Sequence, residues 1–321
     1  MSRAVPEIAA GELRSARNLP ACSGQSPDAS LPAAEAMESK DTWGAWSGVY
    51  RQGGCIPFAF PGLPEIGCVF GTALCGSIHL SASGDGDAVT RREALLAAIG
   101  LARWVELCQV HKDGFIVDAR PTPTELPSAL EADGSCTRER GLGLLVKTAD
   151  CQPLFFAAGD GSAVAALHVG WRGNAADYPA VGLSRFCEAY GLDPAGVLAV
   201  RGPSLGPGAS EFVNFGKEWL AAFAPWFDAE KQTMDLWRLT RDQLMRVGMP
   251  AGNIFSLDLC TCSLPGLFFS HRRGDEGRQG SLVWIRPAGE PASAGRGRAQ
   301  GVAGPHYDPM CVNVPAGRGK A

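Results

Sequence analysis

Long apolar runs are missing from this sequence, and none approaches the roughly 18 residues that a membrane-spanning helix requires. The N-terminus also lacks a basic stretch followed by an apolar segment, so we expect no signal peptide. Positive charge is scarce as well, because 29 Lys and Arg residues stand against 33 Asp and Glu residues, a net charge of -4. Nucleic acid and anionic membranes are therefore not expected as partners. The sequence predicts a cytoplasmic protein whose 11 cysteines are mostly reduced thiols.

The composition divides the 321 residues into three parts. Residues 1–42 are rich in Ala, Ser, Pro, Gly and Glu, which predicts a disordered leader with at most a short helix at Ala9–Arg17. Residues 287–321 have the same character and predict a flexible C-terminal tail. The remaining residues, 43–286, suffice for a single α/β domain.

Within residues 43–286, short apolar runs alternate with amphipathic stretches, which predicts a layered α/β or α+β domain. The predicted strands are Gly67–Thr72, Trp104–Val110, Gly114–Asp118, Gly143–Lys147, Leu154–Ala158, Ala163–His168, Val197–Arg201, Ile254–Leu257 and Leu282–Ile285. The predicted helices are Ala88–Ile99, Asn174–Tyr190, Val213–Ala221 and Leu236–Val247, the second of which stops at Gly191.

Residues 133–173 hold the densest set of chemically reactive side chains. Asp150 and Cys151 follow one predicted strand, and His168 ends another just before a Gly-Trp-Arg-Gly turn. Ionisable side chains at strand ends beside glycines are typical of α/β active sites. Cys151 and His168 fit a nucleophile with its base, or two ligands of a metal that His111, at another strand end, would complete. Spacing alone leaves both interpretations open, together with ordinary structural roles.

Several ordered motifs then resemble one known family. In chain order these are FPGLPEIGCVFGT, DAVTRREALLAAIG, QVH, TADCQPLFF, LHVGWRG, RGPSLGPGASEF and DLCTCSLPGLFFSHRRGDEGRQG. They are similar to the signature blocks of the YfiH-type family, once named multicopper polyphenol oxidases or laccase-domain proteins and now regarded as purine nucleoside phosphorylases. The match covers about residues 57–286, so residues 43–286 are identified as a single YfiH-type catalytic domain.

The resemblance implies a zinc ion held by His111, Cys151 and His168. It also implies a single layered α-β-β-α domain with mixed sheets, similar to the catalytic domain of cytotoxic necrotizing factor toxins. The implied activity is phosphorolysis of adenosine, inosine, guanosine and methylthioadenosine, with deamination of adenosine as a second reaction. Purine nucleoside and phosphate are then the partners, and the protein is a monomer or a homodimer.

We also assign hypothetical roles to further residues around this centre. The residues assigned to catalysis are Asp150, Arg172 and Cys260, and Arg172 is also expected to supply positive charge for phosphate. The residues assigned to substrate or phosphate are Arg92, Glu211, Ser270, Arg272 and Arg273. The segment Gly208–Ser210 departs from the family, whose block carries cysteines and a Tyr before the Glu, and this departure puts purine specificity in question.

The older family name raises a copper oxidase as an alternative, because two His and one Cys also describe a blue-copper centre. Such a centre usually adds an axial Met, and no Met lies near the three residues in sequence. A laccase also needs several His-x-His pairs, and the five histidines form none. We therefore expect zinc, with copper as an adventitious occupant. A metal-free Cys151–His168 hydrolase and a zinc-stabilised interaction module are the remaining rivals.

Overall fold

Thirteen strands and five helices make up the part of the chain that the computed structural model describes, residues 54–80 and 86–288. The strands are β1 (Cys55–Pro57), β2 (Ile66–Gly71), β3 (Trp104–Glu106), β4 (Phe115–Val117), β5 (Gly134–Thr137), β6 (Gly143–Thr148), β7 (Gln152–Ala158), β8 (Val164–Val169), β9 (Val197–Arg201), β10 (Phe227–Asp228), β11 (Thr233–Met234), β12 (Ile254–Ser256) and β13 (Gln279–Ile285). The helices are α1 (Gly86–Ile99), α2 (Trp171–Ala175), α3 (Tyr178–Tyr190), α4 (Phe215–Glu218) and α5 (Leu236–Arg246). None of these described helices is long and apolar enough to cross a membrane.

The strands form two mixed sheets and one small hairpin, β10–β11. The first sheet has the order β1-β2-β13-β6-β3, in which β13 is antiparallel to both neighbours and β3 is parallel to β6. The second sheet has the order β12-β9-β7-β8-β5-β4, in which β7 is antiparallel to both neighbours and the two edge strands are parallel to theirs. Both sheets are therefore mixed, as predicted.

The two sheets face each other across a buried apolar cluster. Phe70 of the first sheet stacks on Phe155 of the second, with ring centroids 5.3 Å apart. Helix α1 covers the outer face of the first sheet through residues such as Leu95, while α3 and α5 cover the outer face of the second through Phe186 and Leu244. Because the central strands are buried on both faces, between the two sheets and under the helices, the domain has four layers, α-β-β-α, which confirms the predicted layering.

Two crossovers carry the chain from the first sheet to the second. After β3, Cys108 leaves the first sheet and bonds with residues 130–132, which lead into β5 of the second sheet. After β6, residues 149–151 lead directly into β7. The predicted strand Trp104–Val110 is therefore wrong in its second half, since the chain changes sheets there. The other predicted strands are present, with small shifts at their ends.

The predicted helix Asn174–Tyr190 is two helices, α2 and α3. Pro179 cannot donate a hydrogen bond to the carbonyl of Ala175, and Asp177 adopts a φ of 61°. The helix is therefore interrupted between Ala175 and Tyr178. The predicted stop is confirmed, because Gly191 caps α3 with a φ of 64°.

The predicted helix Val213–Ala221 is reduced to the single turn α4. The reason is tertiary, because Phe215 and Trp219 of this segment pack into an aromatic cluster with neighbouring loops, whereas Val213 and Leu220 stay exposed, so the segment has no continuous buried helix face. Four strands were not predicted: β1, β5, β10 and β11. Strand β5 contains only small or polar residues, and its burial comes from its neighbours β4 and β8.

The predicted leader, residues 1–42 with the helix at Ala9–Arg17, lies outside the described residues. So does the predicted tail beyond residue 288. The domain boundaries at residues 43 and 286 stay predictions.

Candidate metal centre

His111, Cys151 and His168 converge at one place on the second sheet. Their ligand atoms all lie within 4.8 Å of one another, and they are the one group of this kind among the described residues. The Cys151 Sγ lies 3.8 Å from the His111 Nε2, and the two imidazole rings are 4.7 Å apart at an angle of 80°. The sequence expectation that these three residues meet is consistent with this geometry.

The chain path explains why they meet. His111 and Cys151 each lie on one of the two crossovers between the sheets, and His168 lies in β8. Strand pairing places Gln152 opposite Val169 and Pro153 opposite His168, so Cys151 lies beside the end of β8. Two crossovers and one strand end thus supply one ligand each.

Gly170 leaves room for the group. A Cβ at this position would lie 3.0 Å from the His111 Cδ2 and 3.2 Å from the Cys151 Sγ. Because the glycine has no side chain, the backbone after β8 passes directly beside two of the three ligands. His111 is exposed and Cys151 is half-buried, so the group can be approached from solvent.

Asp133 holds two of the ligands in place, and sequence reasoning did not single it out. Its Oδ1 accepts hydrogen bonds from the His168 Nδ1 at 2.8 Å and the His111 backbone N–H at 3.0 Å. Its Oδ2 accepts from the backbone N–H groups of Lys112 at 2.7 Å and Val110 at 3.3 Å. This buried carboxylate therefore shapes the loop in which His111 has a φ of 59°. It also directs the other ring nitrogen of His168, Nε2, toward the group.

The electrostatics of the three side chains favour a thiolate. Burial by itself would raise the pKa of the Cys151 thiol, but the charge of His168 and hydrogen bonds with both histidines lower it to about 6. Burial by itself would lower the pKa of His168, but the Cys151 thiolate and the Asp133 carboxylate raise it to about 9. Although burial opposes ionisation of Asp133, its hydrogen bond with His168 and its backbone hydrogen bonds lower its pKa. Cys151 is therefore poised as the anionic sulfur that soft metals bind.

The donor set fits zinc. Two imidazoles and one thiolate supply three of four tetrahedral positions and leave one open, which is the pattern of catalytic rather than structural zinc sites. The bond from the His168 Nδ1 to a buried carboxylate is the usual support of a zinc-ligating histidine. The residues present therefore fit the zinc ion that the sequence resemblance implies.

Asp150, which precedes Cys151, ties three loops together. Its Oδ1 accepts a hydrogen bond from the Thr261 hydroxyl at 2.6 Å. Its Oδ2 accepts from the Ser270 hydroxyl at 3.0 Å and the Arg272 backbone N–H at 2.6 Å. Both oxygens are thus engaged, at a residue with a φ of 89°. This arrangement favours a positioning role for Asp150 over acid–base chemistry, and gives the buried Ser270 the same role.

The arginines predicted to bind phosphate separate into two groups. Arg172 is exposed, and its guanidinium lies 4.4 Å from the centroid of the neighbouring Trp171 ring. Arg272 is partly exposed and donates to the backbone carbonyl of Glu211 at 3.0 Å, with the Glu211 carboxylate 3.9 Å away. Arg172 and Arg272 are therefore accessible to an anion, whereas Glu211 is an exposed partner of Arg272.

Arg273 and Arg92 are already engaged. Arg273 donates to the carbonyls of Thr261, Cys262 and Phe268, which fixes the loop that follows β12. Arg92 is fully buried under α1, where it forms two 2.8 Å hydrogen bonds with the Glu106 carboxylate. Its remaining donors reach two backbone carbonyls. The structure does not bring Arg92 into the site, because each of its three guanidinium nitrogens donates to a group inside the first-sheet layer.

Cys260 has a structural partner at the site. Its Sγ accepts hydrogen bonds from the Gly206 N–H at 3.3 Å and the Ser263 hydroxyl at 3.2 Å. The residue also bridges to Ser204, so it holds the loop of residues 202–207, with its two Gly-Pro pairs, against the loop that Asp150 holds. Ser210, in the segment that the sequence resemblance singles out as a departure, is buried, and its hydroxyl has no hydrogen-bond partner among the described residues.

A buried amide network supports the site from below and could not be recognised in the sequence. The Gln152 amide N–H donates to the Asn174 Oδ1 at 2.9 Å, and the Thr240 hydroxyl donates to the Gln152 Oε1 at 3.0 Å. Asn174 in turn donates to Thr240 and Gln243. The residue after Cys151 and the helix that carries Arg172 are thereby fixed to α5, because each polar atom in the network has a partner.

Among residues 54–80 and 86–288, four layers and one His–Cys–His group, drawn from two sheet crossovers and one strand, define an α-β-β-α domain with a candidate metal site. The chain belongs to the family described as multi-copper polyphenol oxidoreductase laccase, whose profile matches residues 76–286. The resemblance to YfiH-type proteins is thereby confirmed.

Two named relatives and one crystal structure are similar to this chain. A Xylella fastidiosa protein named purine nucleoside phosphorylase is 35% identical over 212 residues, covering 60% of this chain and 77% of the relative. The Escherichia coli protein named purine nucleoside phosphorylase YfiH is 34% identical over 207 residues, covering 60% of this chain and 79% of the relative. The crystal structure of Bacillus licheniformis hypothetical protein YfiH shares the fold, with a TM-score of 0.62 at 24% identity over 72% of this chain and 96% of that one.

Proposed function

We propose that this chain is a zinc-dependent purine nucleoside phosphorylase that cleaves adenosine, inosine, guanosine and methylthioadenosine with phosphate. The observation that carries the proposal is the convergence of the His111, Cys151 and His168 ligand atoms within 4.8 Å of one another. The names of the relatives, purine nucleoside phosphorylase in Xylella fastidiosa and Escherichia coli, support the reaction class.

His111, Cys151 and His168 would hold the metal, and Asp133 would keep two of them oriented. A zinc ion held by these residues would supply a Lewis acid able to polarise a substrate oxygen. The proposal includes deamination of adenosine as a second activity, because zinc deaminases also use His and Cys ligands.

Phosphorolysis also needs a place for phosphate. A phosphate oxygen forms a bond to the C1′ carbon of the ribose while the bond from C1′ to the purine nitrogen breaks, and the purine leaves with a proton. Arg172 is the best-placed cation, because it is exposed, it is the second residue of α2, two positions after Gly170, and the described residues give it no carboxylate partner. Its planar guanidinium suits bidentate binding of phosphate. Arg272, which approaches Glu211 only at 3.9 Å, is the second cation.

The decisive experiment incubates the zinc-loaded full chain with adenosine, and in parallel with inosine, guanosine and methylthioadenosine, in the presence and absence of phosphate. The next outcomes are for adenosine. We expect adenine and ribose 1-phosphate only when phosphate is present, and inosine in both cases if deamination also occurs. The Cys151→Ala and His168→Ala variants should lose both reactions. Absence of any product from all four nucleosides, with one zinc bound per chain, would contradict the proposal.

A second candidate is a metal-free cysteine hydrolase, and one observation favours it. Asp133 bonds to His168 at 2.8 Å, and His168 lies next to Cys151, which is the order of orienting acid, base and nucleophile in such enzymes. This enzyme would keep its activity in a strong chelator and would lose it when iodoacetamide alkylates Cys151. The zinc enzyme would lose its activity in the chelator and recover it with added zinc.

The family description also names copper oxidation. A multicopper oxidase requires several copper sites, whereas residues 54–80 and 86–288 contain one group of three ligands. The sequence has no His-x-His pair either. The ligand inventory therefore supports a single-metal centre.

A further inference from the structure

A pair of cysteines lies apart from the candidate metal centre, on the first sheet. Cys55 begins β1, and Cys75 ends a 3-10 turn, Ala73–Cys75, that follows β2. Their Sγ atoms are 3.6 Å apart. No other pair of sulfur atoms in the described part of the chain is within hydrogen-bonding distance. A disulfide bond requires about 2.05 Å, so a small rotation of the two side chains toward each other would join them.

The backbone on both sides holds the two sulfur atoms together. Strand β1 pairs with β2 so that Cys55 lies opposite Gly71. The Thr72 hydroxyl donates a hydrogen bond to the Gly54 carbonyl and accepts one from the Leu74 N–H. One threonine therefore fixes both the residue before Cys55 and the turn that carries Cys75.

The two thiols differ in exposure and in acidity. Cys55 is 1% exposed, whereas Cys75 is half-buried and can be reached from solvent. The hydrogen bond from Cys55 lowers the pKa of Cys75 to about 7, although burial opposes this, and the backbone and side chain of Thr72 assist. The same hydrogen bond raises the pKa of Cys55. An accessible thiolate beside a buried thiol is the arrangement of an attacking and a resolving cysteine.

We propose that Cys75 and Cys55 form a redox-modification site, in which hydrogen peroxide converts the two thiols into a disulfide. The Cys75 sulfur attacks a peroxide oxygen, so an S–O bond forms, the O–O bond breaks, and the leaving hydroxide takes up a proton to become water. The Cys55 sulfur then attacks the Cys75 sulfur, so the S–S bond forms and the S–O bond breaks. The released hydroxide and the Cys55 proton make a second water. The two sulfurs lose two electrons in total, and the peroxide gains them.

The cysteine pair is connected to the loop of residues 267–270, which contacts Asp150 beside the candidate metal centre. The Ala73 N–H donates to the Leu267 carbonyl at 2.7 Å, and three residues later Ser270 bonds to Asp150. A disulfide at Cys55–Cys75 closes a loop of 20 residues around this contact. The disulfide would therefore restrict the motion of the turn at Ala73 that supports the loop of Leu267 and Ser270, without contacting the metal ligands.

The test treats the zinc-loaded full chain with hydrogen peroxide, blocks the remaining thiols and maps the peptides by mass spectrometry. We expect a dithiothreitol-reversible crosslink between the peptides of Cys55 and Cys75, with the loss of two hydrogen atoms. The Cys75→Ser variant should lose the crosslink, and the matched half-buried control Cys108→Ser should keep it. In Cys55→Ser, Cys75 should instead stop at a sulfenic acid that dimedone traps.

Three results would overturn the proposal. These are an unmodified Cys75 in the wild-type chain, a crosslink from Cys75 to a different cysteine, and a Cys55→Ser variant in which dimedone does not label Cys75. If Cys55→Ser does not fold, Cys55→Ala takes its place, since the site is buried and apolar. Circular dichroism of each variant before oxidation establishes that it is folded.

Discussion

Replacement of Asp133 by Asn removes one negative charge and changes little else in shape. In the native chain, Oδ1 accepts two hydrogen bonds and Oδ2 accepts two others, all from N–H donors. An amide has one oxygen and one NH2 group, so either orientation places two donors against two donors. The His168 ring or the His111 loop must therefore move.

The expected size of the effect follows from these contacts. Loss of a carboxylate that orients a zinc-ligating histidine typically weakens metal binding by about 10- to 100-fold, or about 1.4–2.7 kcal/mol. Each unsatisfied buried donor adds about 1–3 kcal/mol of destabilisation even without metal. For a domain of this size, about 1 kcal/mol corresponds to about 2–4 °C in melting temperature.

The measurement separates these two effects. Zinc affinity is determined by competition with a chelating dye, and melting temperature is recorded with excess zinc and with excess chelator. We expect Asp133→Asn to melt lower in chelator and to gain less from zinc than the wild type does. The matched control is Asp118→Asn, an exposed carboxylate that accepts one bond from Tyr190. A folded Asp133→Asn protein with unchanged zinc affinity would refute the reasoning.

Three further changes test other parts of the site. In steady-state kinetics, Arg172→Ala should raise the KM for phosphate about 10- to 100-fold, because a charge-assisted contact is lost. Arg138 is also an exposed arginine stacked on a ring at 4.4 Å, so Arg138→Ala is the control and should leave this KM unchanged. Gly170→Ala should lower kcat by about 100-fold and weaken zinc binding, because the added Cβ crowds His111 and Cys151. Gly208→Ala is the control, since a Cβ at that position meets nothing within 4 Å. Arg92→Ala should lower the free energy of unfolding by about 3 kcal/mol in urea titration, the low end for a broken buried ion pair, because the Glu106 carboxylate loses both hydrogen bonds from Arg92 and keeps only its ion pair with Lys147. The KM for phosphate should stay unchanged in folded Arg92→Ala, and an increase there would return Arg92 to the site.

The sequence predicts the parts of the fold that depend on local pattern. Strands β6 to β9 stand out because each is a run of buried apolar residues beside a glycine or a turn. The meeting of His111, Cys151 and His168 could be anticipated only because the ordered family motifs imply a common ligand set. Spacing by itself was compatible with ordinary structural roles.

The residues that sequence reasoning missed act through distant contacts. Asp133 lies 35 positions before His168, and nothing in the sequence around it distinguishes an orienting carboxylate from a turn residue. Arg92 looks like an accessible helix arginine, but Glu106 is placed beneath it by the first sheet. The network of Gln152, Asn174 and Thr240 joins three elements that are up to 88 residues apart. Such roles depend on tertiary packing, which local periodicity does not encode.

The two sheet crossovers give a bound ion a mechanical role. His111 and Cys151 lie where the chain leaves the first sheet, and His168 belongs to the second, so one ion would pin both linkers to the same strand end. Sliding of one sheet over the other would then have to stretch metal–ligand bonds as well as shear the apolar layer between Phe70 and Phe155. A bound ion would therefore crosslink the two sheets. Hydrogen exchange of the backbone amides in β7 and β8 should then be slower when the ion is bound than when it is removed.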